Sequence, residues 1–117
     1  MKIVFSAKGK DWDAPTDPSF GRAQGFLLFD EEKNELSWHS NEQNVMASQG
    51  AGIQAAQNVA NLGAEVLVTR YAGPKAYRTL KKSSIQIYSI SEEMSVRDAY
   101  EKFKAGELVE QEPEAAL

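Results

Sequence analysis

The sequence contains no cysteine, which excludes disulfides, thiolate zinc sites and cysteine-ligated iron–sulfur clusters. Its one histidine, His39, cannot supply a coordination sphere alone. Long apolar runs are missing too. Near the N-terminus only Ile3-Val4-Phe5 precede Ser6, too short for a signal peptide or a membrane span, so a cytoplasmic protein with no membrane partner is expected. Net charge is also lacking from the body of the chain. Residues 107–117 hold Glu107, Glu110, Glu112 and Glu114 and no base; without those four, the seventeen acids fall to thirteen, matching the thirteen bases. A neutral body argues against broad nucleic-acid binding but leaves room for a local anion pocket.

What the chain does have is two glycine-containing turns, each at the start of a helical pattern. Gln49-Gly50-Ala51-Gly52-Ile53-Gln54-Ala55-Ala56 is the first, and Thr69-Arg70-Tyr71-Ala72-Gly73-Pro74-Lys75-Ala76 is the second. A helix start offers unpaired N–H groups and the positive end of a dipole, which suits an anion. The second turn carries two cations and the first carries no acid.

The 117 residues predict one domain over 1–107, followed by an acidic flexible tail over 108–117. Lys2 to Ala7 reads as a buried first strand. Residues 8–24, with Gly9, Pro15, Pro18 and Gly21, form a long connection. Gly25–Phe29 and Glu35–His39 read as a hairpin, and 40–49 as a loop. Ile53, Ala56, Val59, Ala60 and Leu62 give a helical stripe that stops at Gly63. Val66-Leu67-Val68 is a short buried strand, Pro74 suits a helix start, and Ile85, Ile87 and Ile90 mark a last strand. Ser95 caps a final helix with Asp98 three residues on, and Gly106 ends it. This order predicts an α/β fold with a five-stranded mixed sheet, strand two antiparallel and helices on both faces.

In such sheets ligands bind beyond the carboxyl ends of the strands. The topology sends Lys8, Lys10, Phe20-Gly21-Arg22, His39, Gly50-Ala51-Gly52 and Arg70 to Lys75 to one rim. Each also has an ordinary reading. The glycines serve tight turns, the cations are solvated, His39 ends a strand, and Trp12 and Phe20 pin the long loop.

Four segments carry a family resemblance: Ser19-Phe20-Gly21-Arg22-Ala23, Gly50 to Ala56, Ala72-Gly73-Pro74-Lys75-Ala76, and Phe103-Lys104-Ala105-Gly106-Glu107-Leu108. In this order, over residues 1 to about 108, the chain resembles the dinitrogenase iron–molybdenum cofactor-binding family. The resemblance implies a three-layer ribonuclease H-like fold and a non-enzymatic carrier of metal–sulfur cofactors. The cargo it implies is an iron–molybdenum-type cluster or a molybdenum–copper sulfide cluster held without covalent bonds, as in one small member that the Gln49–Gln57 stretch is particularly similar to. The chain departs from the family at Arg70 and Ser84, where glycine is common, and at Lys75, where asparagine is.

A sulfide cluster brings its own ligands. On this reading the N–H groups of Gly50, Ala51 and Gly52 and those around Gly73 donate to it, and Pro74 lines the site beside them. Arg22, Arg70 and Lys75, with Lys8, balance charge, and Phe20, Met46 and Ile53 wall off water, with Gly21 beside them. His39 is the one candidate metal ligand. A carrier also needs a protein recipient or assembly partner, and removing 108–117 is expected to affect delivery but not binding.

Rival readings are weaker. Gly50 to Ala55 satisfies the dinucleotide fingerprint with alanine last, but no strand immediately precedes it and the expected acid is absent, although Arg70 could take a 2′-phosphate. A nuclease needs clustered acids, whereas Asp11, Asp13, Asp17 and Asp30 sit on loops and turns. An interaction module would use Trp12 or the acidic tail as its anchor.

Overall fold

The structure is a computed structural model that describes residues 1–113. The strands are β1 (Lys2–Ala7), β2 (Gly25–Asp30), β3 (Glu35–Ser40), β4 (Val66–Thr69), β5 (Gln86–Ser89) and β6 (Val109–Glu110). The helices are α1 (Glu42–Val45), α2 (Ala51–Asn61), α3 (Pro74–Lys82) and α4 (Val96–Lys104). One sheet runs in the order β3-β2-β1-β4-β5-β6. β1, β4 and β5 are mutually parallel, while β2 is antiparallel to both β1 and β3. This 3-2-1-4-5 core is the expected ribonuclease H-like arrangement.

Alternation along the strands builds two apolar layers. Val4, Phe26, Leu67 and Ile87 face α2 and α3, where they meet Ala55, Ala56, Val59 and Leu80. Ile3, Phe5, Leu27, Val66 and Val68 face α4 and meet Val96 and Ala99. Trp12 folds into this second layer, edge-on to Phe29 with centroids 4.9 Å apart. It therefore fastens the 8–24 connection to the core and does not stand out as a docking anchor. That connection is further held by Thr16 N–H to the Met94 carbonyl (2.8 Å) and by Val96 N–H to the Ala14 carbonyl (2.9 Å).

Three expectations change. Residues 42–45 are helical, because Asn41 and Asn44 close a local turn that polar composition concealed. Among the described residues the sheet has six strands, since Val109–Glu110 pair antiparallel with β5, so residues 109–111 lie against the body. The rest of the expected tail, 114–117, lies outside the described residues. Finally, Ile53 leaves the core stripe of α2 and Ala55 replaces it there. The expected cap is present, with Asp98 N–H donating to Ser95 Oγ at 3.1 Å. Ser84 holds the left-handed conformation (φ 59°) at a position where glycine would be unstrained.

Candidate functional site

From β1 the chain turns outward to β2, and from β4 it turns the other way to β5. Their shared carboxyl edge is the topological switch point, where open α/β sheets form a crevice. A cavity of about 700 Å³ opens there, on the α2 and α3 side. Its wall comes from Pro18 to Arg22, Gly50 to Ile53, Tyr71, Gly73 to Ala76, and Arg78. Ten of the expected residues thus converge: Phe20, Gly21, Arg22, Gly50, Ala51, Gly52 and Ile53, and on the α3 side Gly73, Pro74 and Lys75.

Polar side chains shape the first wall. Asp17, buried, accepts hydrogen bonds from Ser19 N–H (3.0 Å) and Gln24 N–H (3.1 Å), closing the loop on itself. Asn41 Nδ2 donates to the carbonyls of Gly21 (3.0 Å) and Ala23 (2.9 Å). Phe20 inserts into the core against Phe26. The loop then meets α2 backbone to backbone. A Cβ on Gly21 would lie 2.9 Å from both Cα and N of Gly52, so this approach requires glycine.

The second and third walls are helix starts. Gly50 takes the left-handed conformation (φ 76°) ahead of α2, and Gln54 N–H donates to its carbonyl at 3.0 Å. The amides of Ala51, Gly52 and Ile53 come before that first helical bond. In α3 the first bond runs from Tyr77 N–H to the Gly73 carbonyl (2.7 Å), which leaves Lys75 and Ala76 as the forward amides, since Pro74 has none. Among the described residues no side chain caps either helix, and neither has an acid in its first turn. α4, by contrast, has both a serine cap and Asp98 in its first turn. Gly73 differs from Gly21: its φ is −62°, and a Cβ there would meet nothing within 4 Å. Its lack of a side chain therefore leaves space in the cavity.

The cavity's charge is of one sign. Arg22, Lys75 and Arg78 contribute to the wall, and among the described residues no Asp or Glu does. Arg22 is also structural. Its Nη1 donates to the Ala47 carbonyl at 2.6 Å and to the Val45 carbonyl at 3.2 Å, bonding carbonyls that the end of α1 leaves over.

Four expected residues fall elsewhere. The chain leaves the sheet at Ala7, and Lys8 Nζ lies 3.4 Å from Glu93. Arg70 follows Thr69 with the opposite facing, and its Nη2 donates to the Ser91 carbonyl at 3.0 Å on the α4 side. His39 reaches the right edge of the sheet but on β3, two strands from β1, where its Nε2 bonds Ser37 Oγ (3.0 Å). Met46, expected in the apolar wall, is 89% exposed and does not line the cavity. The sequence places Tyr71 on the rim only as part of the Arg70 to Lys75 span, with no role of its own, and does not bring Arg78 there. Arg78 stands three residues after Lys75 on α3, a spacing that shares a helix face. Tyr71 follows from alternation past Thr69, and Asp17 and Asn41 from their preference for closing local turns.

The dinucleotide reading loses its structural context. The elements before Gly50 are the edge strand β3 and then α1, so no strand leads directly into the helix. Among the described residues no three His, Asp or Glu side chains gather where a metal ion would sit. No helix there is long and apolar enough to cross a membrane.

Comparison with known proteins agrees with this geometry. The structure superposes on the apo form of the orange protein from Desulfovibrio gigas with a TM-score of 0.89 and 37% identity, covering 94% of this chain and 92% of that one. A Thermotoga protein solved by NMR gives a TM-score of 0.81 at 27% identity, over 93% of this chain and 91% of its own. An uncharacterised protein of Methanocaldococcus jannaschii is 28% identical over 93 residues, which is 78% of either chain. The family described as dinitrogenase iron–molybdenum cofactor matches residues 1–106, and with the expected mixed sheet and glycine turns in place, this chain belongs to that family.

Proposed function

We propose that the protein is a non-enzymatic carrier that holds an anionic metal–sulfur cofactor, of the iron–molybdenum or molybdenum–copper sulfide type, in the cavity at the switch point. One observation carries this reading: two uncapped helix starts open on a single cavity whose charged wall residues are all cations. The side chains fit cargo of this kind and not a bare ion. The chain has no thiolate, so the cluster must bring its own sulfide ligands. The protein's part is then to surround it. The amides of Ala51, Gly52, Ile53, Lys75 and Ala76 donate to sulfide, and Lys75 and Arg78 offset charge. Pro18, Phe20, Ile53 and Tyr71 limit water access. The open space at Gly73 admits the cargo.

Charge-assisted hydrogen bonds contribute about 1.5–3 kcal/mol each. A few of them, set against the cost of association, give tight but reversible binding. Reversibility suits delivery to a protein recipient, and a reducing cytoplasm suits sulfide cargo.

The test is anaerobic titration with tetrathiomolybdate, with and without copper, followed by the cluster's visible absorbance. Wild type should take it up, and the double change Lys75→Ala, Arg78→Ala should weaken uptake at least tenfold with little change in thermal stability. Arg70→Ala, on the far face, should bind as wild type. No uptake by wild type, or uptake indifferent to the double change, would refute the carrier.

A further inference from the structure

The strand after residue 107 ends in a clamp. Ala72 N–H donates to Gln111 Oε1 at 2.9 Å, and Gln111 Nε2 donates back to the Ala72 carbonyl at 2.8 Å. One side-chain amide thus pairs both main-chain groups of a single residue, as a partner in an antiparallel ladder would. Ala72 needs such a partner. It is fully buried, and it lies beyond Thr69, where β4 stops and the ladder with β5 stops with it. Unpaired, its N–H and carbonyl would each carry a desolvation penalty.

Gln111 is itself fixed. Its N–H donates to the Ile87 carbonyl at 2.7 Å, directly after β6 pairs with β5. Ala72 is in turn followed by Gly73, the residue that precedes α3 and borders the cavity. A line of hydrogen bonds therefore runs from the edge strand to the helix start whose amides face the cavity.

We infer that Gln111 is a positioning residue for the cavity: by clamping Ala72 it sets the direction of the Lys75 and Ala76 amides, so that anion affinity depends on the docking of residues 109–111. This rests on the carrier reading for the nature of the ligand. The strap is also a weak place in the fold. β6 is two residues long, at the sheet edge, with Val109 72% exposed. Such an element opens locally at lower cost than the core. Whatever lifts it from β5 lowers affinity, and by linkage a bound anion holds it down by the same factor.

Amide hydrogen exchange without ligand and tetrathiomolybdate titration test this together. Gln111→Ala should speed exchange at Ala72, Gly73 and Lys75 while leaving β1 and α2 unchanged, and should weaken tetrathiomolybdate binding about three- to tenfold. Gln111→Glu keeps the acceptor for Ala72 N–H and should recover part of both effects. Glu107→Ala, outside the strap, removes only an exposed ion pair with Lys102 (4.0 Å) and should behave as wild type. In the loaded wild type, exchange of the Gln111 amide should slow. Gln111→Ala with wild-type affinity, or with exchange accelerated evenly across the molecule, overturns the inference. Should wild type bind no tetrathiomolybdate, the carrier reading fails, while the ligand-free exchange still decides whether Gln111 holds the turn.

Discussion

Gly21 and Gly73 both border the cavity, for opposite physical reasons. A methyl group on Gly21 would sit 2.9 Å from the backbone of Gly52, which cannot swing aside as a long side chain can. Gly21→Ala should therefore push the 18–22 loop off α2 and cost about 1–3 kcal/mol, the usual range for overpacking. Urea unfolding would measure it as a lower midpoint at unchanged slope. Gly73→Ala meets no atom within 4 Å and needs no unusual φ, so stability should stay within about 0.5 kcal/mol. Because Gly73 borders the cavity, the added methyl group should take up space there, and tetrathiomolybdate uptake should fall. Were Gly73→Ala to unfold the protein, or to leave uptake intact, its place in the wall would be misread.

Single elements carry a trade between stability and binding. A carboxylate in the first turn of a helix normally stabilises it by about 0.3–1 kcal/mol. α4 has one, Asp98, and α2 and α3 have none. Lys75→Glu would add one to α3 at an exposed position. Thermal stability should hold or rise slightly, while anion uptake is lost, because the new charge faces the cargo. A joint loss of stability and uptake would mean that Lys75 supports the fold instead. The short helix α1 teaches a related lesson. Its carbonyls are bonded by Arg22 from another loop, so an arginine that reads as a free cation in sequence is partly committed to structure.

Across the whole molecule, Glu31 ties three distant parts together. Its carboxylate accepts a 2.6 Å hydrogen bond from Tyr100 Oη on α4, and it lies 3.0 Å from Lys104 and 3.3 Å from the N-terminal amine. The Tyr100 hydrogen bond, helped by Lys104 and the N-terminus against the opposing effect of burial, lowers the Glu31 pKa from 4.5 to about 2. Burial, followed by the bond to Glu31, raises that of Tyr100 to about 12. A depressed carboxylate pKa gives stability that is whole above the unfolded value, near 4.5, and is lost as pH falls through about 2. The raised phenol gives stability that is whole below 10 and lost as pH rises through about 12. The acid-side loss should be ~3 kcal/mol, and Tyr100→Phe should shrink it and abolish the alkaline step. Unfolding followed between pH 2 and 5 by circular dichroism checks it; a Tyr100→Phe profile parallel to wild type would contradict the assignment.

The sequence alone determined what local forces control. Apolar runs set the strands β1 and β4, glycine and proline set where α2 and α3 begin, and Ser95 with Asp98 set the start of α4. Their order then set the sheet and the rim, so Phe20 to Arg22, Gly50 to Ile53 and Gly73 to Lys75 could be brought to one place on paper. Tertiary structure decided which way each side chain turns on leaving the sheet. One residue of alternation sends Arg70 to the α4 face and Tyr71 to the cavity, and a bend after Ala7 carries Lys8 to Glu93. It also decided the pairing of Val109–Glu110 with β5 and the Gln111 clamp on Ala72. Those contacts join residues far apart in the chain, and nothing in a polar, acidic stretch announces a partner that only folding brings within reach.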